Sequence, residues 1–296
     1  MLGLGLGVYI RSASGLIASA ASTIFAAYKS RVLADGGVVE NDVCAIAFLE
    51  SIGAGLFDAD YQAVLDYATA QGYTLPSGGQ QTLQNDLLVA LKAAGVWSKL
   101  DTFANFATDG DSDFALIDWK RLTDYTAVNS PTFTADEGFT GNGTSSYIDL
   151  NYNPTIDAVN YSQDDASSMV YVYNIAGVAA TKGYTISNLS IIFQAVNSAV
   201  QRLNSSGNFG TLVDFSVVGM HLMNRVASTE LYAFNGTTEY SSSASSSPLV
   251  NATIGVLQRN GAVYGGSTIS FELNGSNLRN EQNDLNTALN TYMTSI

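Results

Sequence analysis

Apolar residues recur at helical spacing through the first hundred positions and at strand spacing through most of the rest. Ser14 to Tyr28 carries Leu16, Ala20, Ile24 and Ala27 on one helical face. Asn41 or Asp42 can cap a second helix through Cys44, Phe48, Leu49 and Ile52. A third begins at Asp58, buries Tyr61, Leu65 and Ala68, and stops at Gly72. Gln80 to Ala94 predicts a fourth, with Leu83, Leu87, Leu88 and Leu91 inward and Gly95 as its stop. Four short helices with brief loops suggest a small docking region over residues 1–100.

The pattern changes near Trp97. From Phe103 onward, short alternating runs are broken by Gly, Asn, Asp and Ser. Strands are expected over Phe114–Trp119, Tyr147–Asn151, Ser168–Ile175, Ser190–Ala195, Leu212–Met223, Glu230–Phe234, Ala252–Leu257 and Ile269–Leu273. This spacing predicts an antiparallel β-sandwich over residues 101–296. Gly141-Asn142-Gly143, between Phe139 and Tyr147, reads as a hairpin turn. The serine-rich run Ser241–Ser247 reads as a loop, and Asn280–Met293 returns to helical spacing through Leu285, Leu289 and Tyr292. The expected class is therefore α+β: a helical N-terminal region, a sandwich and a short C-terminal helix.

Composition narrows the partners. Apolar residues make up 46% of the 296 and charged residues only 13%, so a good core meets an unusually neutral surface. The formal net charge of −14 repels phosphate backbones and anionic lipid. Cys44 is the single cysteine, so no intrachain disulfide forms, and it reads as a buried helical residue. Neither a signal peptide nor a membrane-spanning helix is expected, because Gly15–Tyr28 is too short to span and Met1–Val8 has no preceding positive charge.

Phe139-Thr-Gly-Asn-Gly-Thr-Ser-Ser-Tyr147 resembles the opening of laminin-G-like and concanavalin-A-like jelly rolls. Leu231-Tyr-Ala-Phe-Asn-Gly236, followed by Ala252-Thr-Ile-Gly-Val256, resembles the laminin-G strand that ends in Asn-Gly. Ile269-Ser-Phe-Glu-Leu, then Gln282 to Tyr292, is similar to the closing strand and helix of jelly rolls in phages of Bacteroidetes hosts. Tyr28 to Gly37 with Glu40 and Cys44, and Phe106 to Leu116 with Asp118-Trp119, resemble the leading region and linker of such proteins. The resemblance implies a non-enzymatic virion component at the particle surface: a spike, fibre or decoration protein that recognises a host receptor or glycan. It implies contacts with other virion proteins through the N-terminal region, and homo-oligomers. The alternatives are a bacterial carbohydrate-binding adhesin and a polysaccharide-degrading hydrolase.

Candidate chemistry is sparse. Glycosidases on this fold align carboxylates on one strand face, and none of the seven glutamates has that spacing. A pair from distant strands, such as Glu230 and Glu272, remains to be tested. His221, the single histidine, has no nucleophile motif around it and reads as a strand residue. Asp109, Asp111 and Asp113 cluster as the start of a calcium loop does, but Phe114 and Lys120 stand where an EF-hand needs Gly and Glu. A looser Ca2+ site there, or at Asp164-Asp165, stands beside the reading of a solvated acidic turn. Met169, Tyr171 and Tyr173 alternate on one strand face, so Tyr171 and Tyr173 are candidate glycan-stacking residues if that face is open, against burial or a subunit contact. Asn-x-Ser/Thr sequons, among them Asn142, Asn188, Asn204, Asn235, Asn251 and Asn274, fit an Asn- and Ser-rich composition. Gly3, Gly5 and Gly7 follow no predicted strand, so they form no dinucleotide fingerprint.

Overall fold

The computed structural model describes residues 57–176, 180–186, 189–194, 202–205, 207, 209, 217–259 and 263–296. The two helices expected before residue 57, with Cys44, lie outside these residues. The chain divides into two compact units, Met1–Ala63 and Val64–Ile296.

Helix α1 (Ala59–Gln71) starts where Asp58 Oδ1 accepts the Asp60 N–H at 2.9 Å. It ends at Gly72, whose φ of 81° suits a residue without Cβ. Helix α2 (Gly78–Ala93) is capped by Ser77, whose Oγ accepts the Gln80 N–H, and its Leu87, Leu88 and Leu91 are buried. The sequence placed this helix in an N-terminal region ending at residue 100, but it belongs to the second unit. There its Gln84 donates to Tyr292 Oη at 3.3 Å. Tyr292 sits on the last helix, α4 (Gln282–Met293). A four-residue helix, α3 (Ser112–Ala115), replaces the start of the strand expected over Phe114–Trp119, because Asp111 Oδ1 accepts the Phe114 N–H at 2.8 Å and nucleates a turn.

Eighteen strands among the described residues, all paired antiparallel, build two large sheets and two small ones. In chain order they are β1 (Leu100–Asn105), β2 (Ile117–Asp118), β3 (Thr123–Asp124), β4 (Thr126–Val128), β5 (Thr132–Thr134), β6 (Gly138–Thr140), β7 (Tyr147–Asp149), β8 (Ala166–Asn174) and β9 (Ala180–Ile186). There follow β10 (Leu189–Gln194), β11 (Arg202–Leu203), β12 (Gly219–Ala227), β13 (Glu230–Asn235), β14 (Thr238–Ser242), β15 (Gly255–Val256), β16 (Gln258–Arg259), β17 (Val263–Tyr264) and β18 (Thr268–Gly275). The eight-stranded sheet runs β14-β13-β12-β8-β18-β6-β5, with β1 also on β18; the six-stranded sheet runs β11-β10-β9-β15-β7-β4.

The two sheets stack. Val170, Val172, Met223, Leu231, Ala233 and Ile269 from the first join Ile148, Val256 and Leu203 from the second in one buried cluster. The opposite face of the first sheet receives α4: Phe271 lies edge-on to Tyr292, centroids 5.6 Å apart. The fold is thus a mostly antiparallel sandwich with a few helices.

The expected Gly-Asn-Gly hairpin does not form. β6 and β7, on either side of it, lie in different sheets, so this segment crosses from one sheet to the other. Asn142 Oδ1 accepts the N–H groups of Thr144, Ser145 and Ser146 at 2.8–3.0 Å, a side-chain-held turn. Gly141 is needed for a different reason from hairpin geometry: a Cβ there would collide with the Gly265 carbonyl. β14 also extends into Ser241–Ser242, part of the expected serine loop, by pairing with Leu231 and Tyr232.

Candidate recognition surface

The best-organised exposed feature is the loop between β7 and β8. Its anchor is Asp101 on β1, which is only 6% exposed. Asp101 Oδ2 accepts the N–H groups of Val159 and Tyr161, both at 3.0 Å, and the Tyr152 hydroxyl at 3.0 Å. Asp101 Oδ1 accepts the Asn160 N–H at 2.8 Å. Three consecutive backbone donors on one carboxylate fix the path of the chain, as charge-assisted bonds do best. The tip carries its own ties: Asn153 Oδ1 accepts from Thr155 N, Asp157 Oδ2 accepts from Asn153 N, and Thr155 Oγ1 donates to Val250 O. Arg121 donates to the carbonyls of Leu150 and Asn151 at 2.7 and 2.9 Å.

The loop so held presents Ile156 at 72% exposure and Val159 at 87%. Polar side chains of the loop and of the segments tied to it are paired with one another. Asn153 Nδ2 donates to Asn251 Oδ1, Asn151 Nδ2 donates to Thr126 Oγ1, and Asp149 Oδ2 accepts from Thr253 Oγ1. This mixture of aliphatic groups and preorganised amides, hydroxyls and a carboxylate is what a polyol with apolar C–H faces needs.

The residues singled out from sequence fall elsewhere. Tyr171 and Tyr173 do share a strand face, but it is the face beneath α4. Tyr171 donates to Asn290 Oδ1 at 2.8 Å and lies edge-on to Phe271, which leaves it half-buried beside Tyr173, 42% exposed. Asp109 Oδ1 accepts from Ser77 N at 2.9 Å, and Asp111 is claimed by Thr74 N at 2.6 Å and Phe114 N. Burial works to raise the Asp111 carboxyl, but those donors outweigh it and hold it below its usual range. Asp113 lies exposed in the first turn of α3. Asp165 accepts from both nitrogens of Asn277 at 2.7 Å. Among the described residues, no group of three or more His, Cys, Asp or Glu is placed to hold a metal. Glu230 is exposed and Glu272 wholly buried, with β12 and β8 between their strands, so they make no catalytic pair. His221 is buried, with Nε2 at 2.7 Å from Val217 O.

The groups that sequence reading missed lie between the sheets. Lys182 on β9 and Glu272 on β18 are both fully buried and form an ion pair at 3.0 Å. Tyr125 donates to Glu272 Oε1, and Thr102 Oγ1 stands 3.4 Å from Oε2. Burial drives the Lys182 ammonium below its ordinary range against the pull of Glu272. It likewise pushes Asp118 up to about 6, outweighing the Arg121 guanidinium that Asp118 binds. Elsewhere a groove of about 490 Å³ opens between α2 and α4, lined by small residues such as Ala90, Ala94 and Ala288, with Asp86 and Asp284 at its sides.

No protein-family model and no curated protein matches this chain. Solved structures give distant likenesses. Domain 4 of AbnA, a GH43 extracellular arabinanase from Geobacillus stearothermophilus in complex with arabinotriose, is 13% identical at a TM-score of 0.43, covering 64% of this chain and 98% of its own. Trypanosoma rangeli sialidase in complex with 2,3-difluorosialic acid is 8% identical at 0.39, covering 71% of this chain and 39% of the sialidase. Likeness at this level carries no activity from one chain to another.

Proposed function

We propose that this chain is a non-enzymatic recognition module that presents the loop around Ile156 and Val159 to a glycan. The observation that carries the reading is the Asp101 anchor: a buried carboxylate spent on holding two exposed aliphatic residues in place. Exposed aliphatic side chains gain nothing from being fixed in water. A ligand that covers them gains from a surface already ordered. The neighbouring Asn151, Asn153, Asn251 and Thr253 supply donors and acceptors for hydroxyl groups. The net charge of −14 disfavours phosphate-rich partners.

A hydrolase would need two accessible carboxyl groups facing one cleft. The carboxyl groups of Glu272 and Asp118, which sense each other, are sealed in the core, and those of Asp149 and Asp157 at the loop accept from backbone and side-chain donors. The setting we favour is a virion surface carrying a concanavalin-A-like jelly roll, on the strength of the sequence resemblance, with oligomers built on particle symmetry.

The test is a glycan array probed with the full chain, wild type against the Ile156→Asp, Val159→Asp double variant. Burying an aliphatic side chain is worth about 1.5–3 kcal/mol, so the double variant is expected to lose at least about tenfold in affinity. Array binding unchanged by the double variant would remove the loop from the site, and no binding to any glycan would remove the ligand class. Antibody labelling of purified particles tests the setting; signal only in host cytosol would refute it.

A further inference from the structure

Lys182, Glu272 and Asn274 meet in the closed space between the sheets, and their chemistry is complementary. All three are fully buried. Glu272 and Asn274 stand two positions apart on β18 and so share a face. One carboxylate oxygen, Glu272 Oε2, lies 3.0 Å from Lys182 Nζ and 3.2 Å from Asn274 Nδ2. Nζ also donates to Leu273 O at 2.9 Å and Met169 O at 3.1 Å, the carbonyls of the residues next to Asn274 and Ser168 in the chain. The Ser168 hydroxyl donates to Asn274 Oδ1 at 2.9 Å, and Thr102 Oγ1 accepts from Asn274 Nδ2 at 2.9 Å.

A buried ion pair is a weak stabilising device, since its desolvation offsets much of its attraction. The same two groups become neutral when one proton crosses from Nζ to Oε2, and desolvation of the lysine favours that form. A neutral lysine amine is a nucleophile.

We propose that Lys182 and Asn274 join in an intramolecular isopeptide bond, with Glu272 carrying the protons. Glu272 Oε2 takes a proton from Nζ, and the freed lone pair attacks Asn274 Cγ. The carbonyl electrons move onto Oδ1, where the Ser168 O–H holds the developing charge. Glu272 then passes its proton to Nδ2 and takes the second proton from Nζ. The Cγ–Nδ2 bond breaks with its electron pair on nitrogen, ammonia departs, and an amide N–H remains between Nζ and Cγ. The surplus proton stays on Glu272 or leaves on the ammonia as ammonium. No atom changes oxidation state and no co-reactant is needed. The product ties β9 of one sheet to β18 of the other.

The experiment is an intact-mass measurement on the folded full chain after transfer to denaturant, with peptide mapping. The expected wild-type mass is one ammonia below that of the sequence, and the digest contains one branched peptide joining the Lys182 and Asn274 segments. Lys182→Arg is expected to show the full mass. Two results overturn the proposal. One is the full mass in wild type after prolonged incubation of the folded protein. The other is an ammonia loss without the branched peptide, persisting in Lys182→Arg, because Asn274 precedes Gly275 and can cyclise onto the backbone nitrogen. If Lys182→Arg does not fold, the presence or absence of the branched peptide in wild type decides alone.

Discussion

Glu272 and Asp101 are buried carboxylates on paired strands, β18 and β1, and they are used in opposite ways. Glu272 faces side chains: the Lys182 ammonium, the Tyr125 hydroxyl and the Asn274 amide, gathered from both sheets. Asp101 faces backbone: three successive N–H groups of a loop whose next layer is solvent. The first carboxylate joins two layers of the core. The second fixes the backbone beside the exposed Val159. A buried charge in this fold is therefore no marker of a reaction centre on its own; what it binds decides whether it serves the interior or the surface.

The sharpest break of the comparison is Glu272→Ala. It leaves Lys182 buried without its counter-charge, at an expected cost of about 3–5 kcal/mol, read as a shift in the urea midpoint at constant slope. Pairing Lys182→Met with Glu272→Leu removes the unmatched charge and is expected to recover only part of that loss, because the double variant cannot form the Lys182–Asn274 amide. Full recovery would mean that the pair does no more than neutralise itself.

Asp118 extends the core side of the comparison through pH. Its carboxyl, raised from 3.8 to about 6, binds its proton more tightly when folded than when unfolded. The stability this contributes is fully present below pH 3.8, and is lost as pH rises through about 6. The two-unit gap corresponds to roughly 3 kcal/mol. The measurement is wild-type stability minus that of Asp118→Asn across this window; a flat difference would refute the direction.

On the rim side, Asp101→Asn removes the charge and one of the two accepting oxygens. The expected loss is about 2 kcal/mol, with faster hydrogen exchange at Val159, Asn160 and Tyr161 and faster proteolysis between residues 151 and 165. Glycan binding is expected to fall with it. The smallest effect is expected at Ile156→Ser, within about 0.5 kcal/mol of wild-type stability yet measurably weaker on the array. At the rim, stability and binding thus fall together at Asp101 and separate at Ile156.

Local elements were legible because their causes are local. The helix expected over Gln80–Ala94 spans Gly78–Ala93, and the tail helix expected from Asn280 begins at Gln282. Ser168–Ile175 and Ile269–Leu273 became β8 and β18 within a few residues. Alternation also put Tyr171 and Tyr173 on one face, but alternation does not name the layer that covers a face, and α4, over 100 residues later, covers this one. Gly141 and Gly143 carried a turn signal that was sound locally, yet which strands pair across it is a long-range matter. β1 escaped notice because all six of its residues are buried, so no polar alternation marks it. β9 was missed with Lys182 at its centre, since an inward lysine contradicts the pattern that reveals strands.

The order of apolar and polar positions, by itself, determined that helices precede a run of antiparallel strands, and the acidic balance determined which partners are repelled. Only the tertiary structure decided which sheet each strand joins, that Asp101 reaches residues 159–161, and that Lys182 meets Glu272 and Asn274. Helix and strand periodicity arises from neighbours a few residues apart. These contacts join positions 58 to 92 residues apart in the chain, and the cost of leaving a buried charge or donor unmatched selects them only once the sheets have closed.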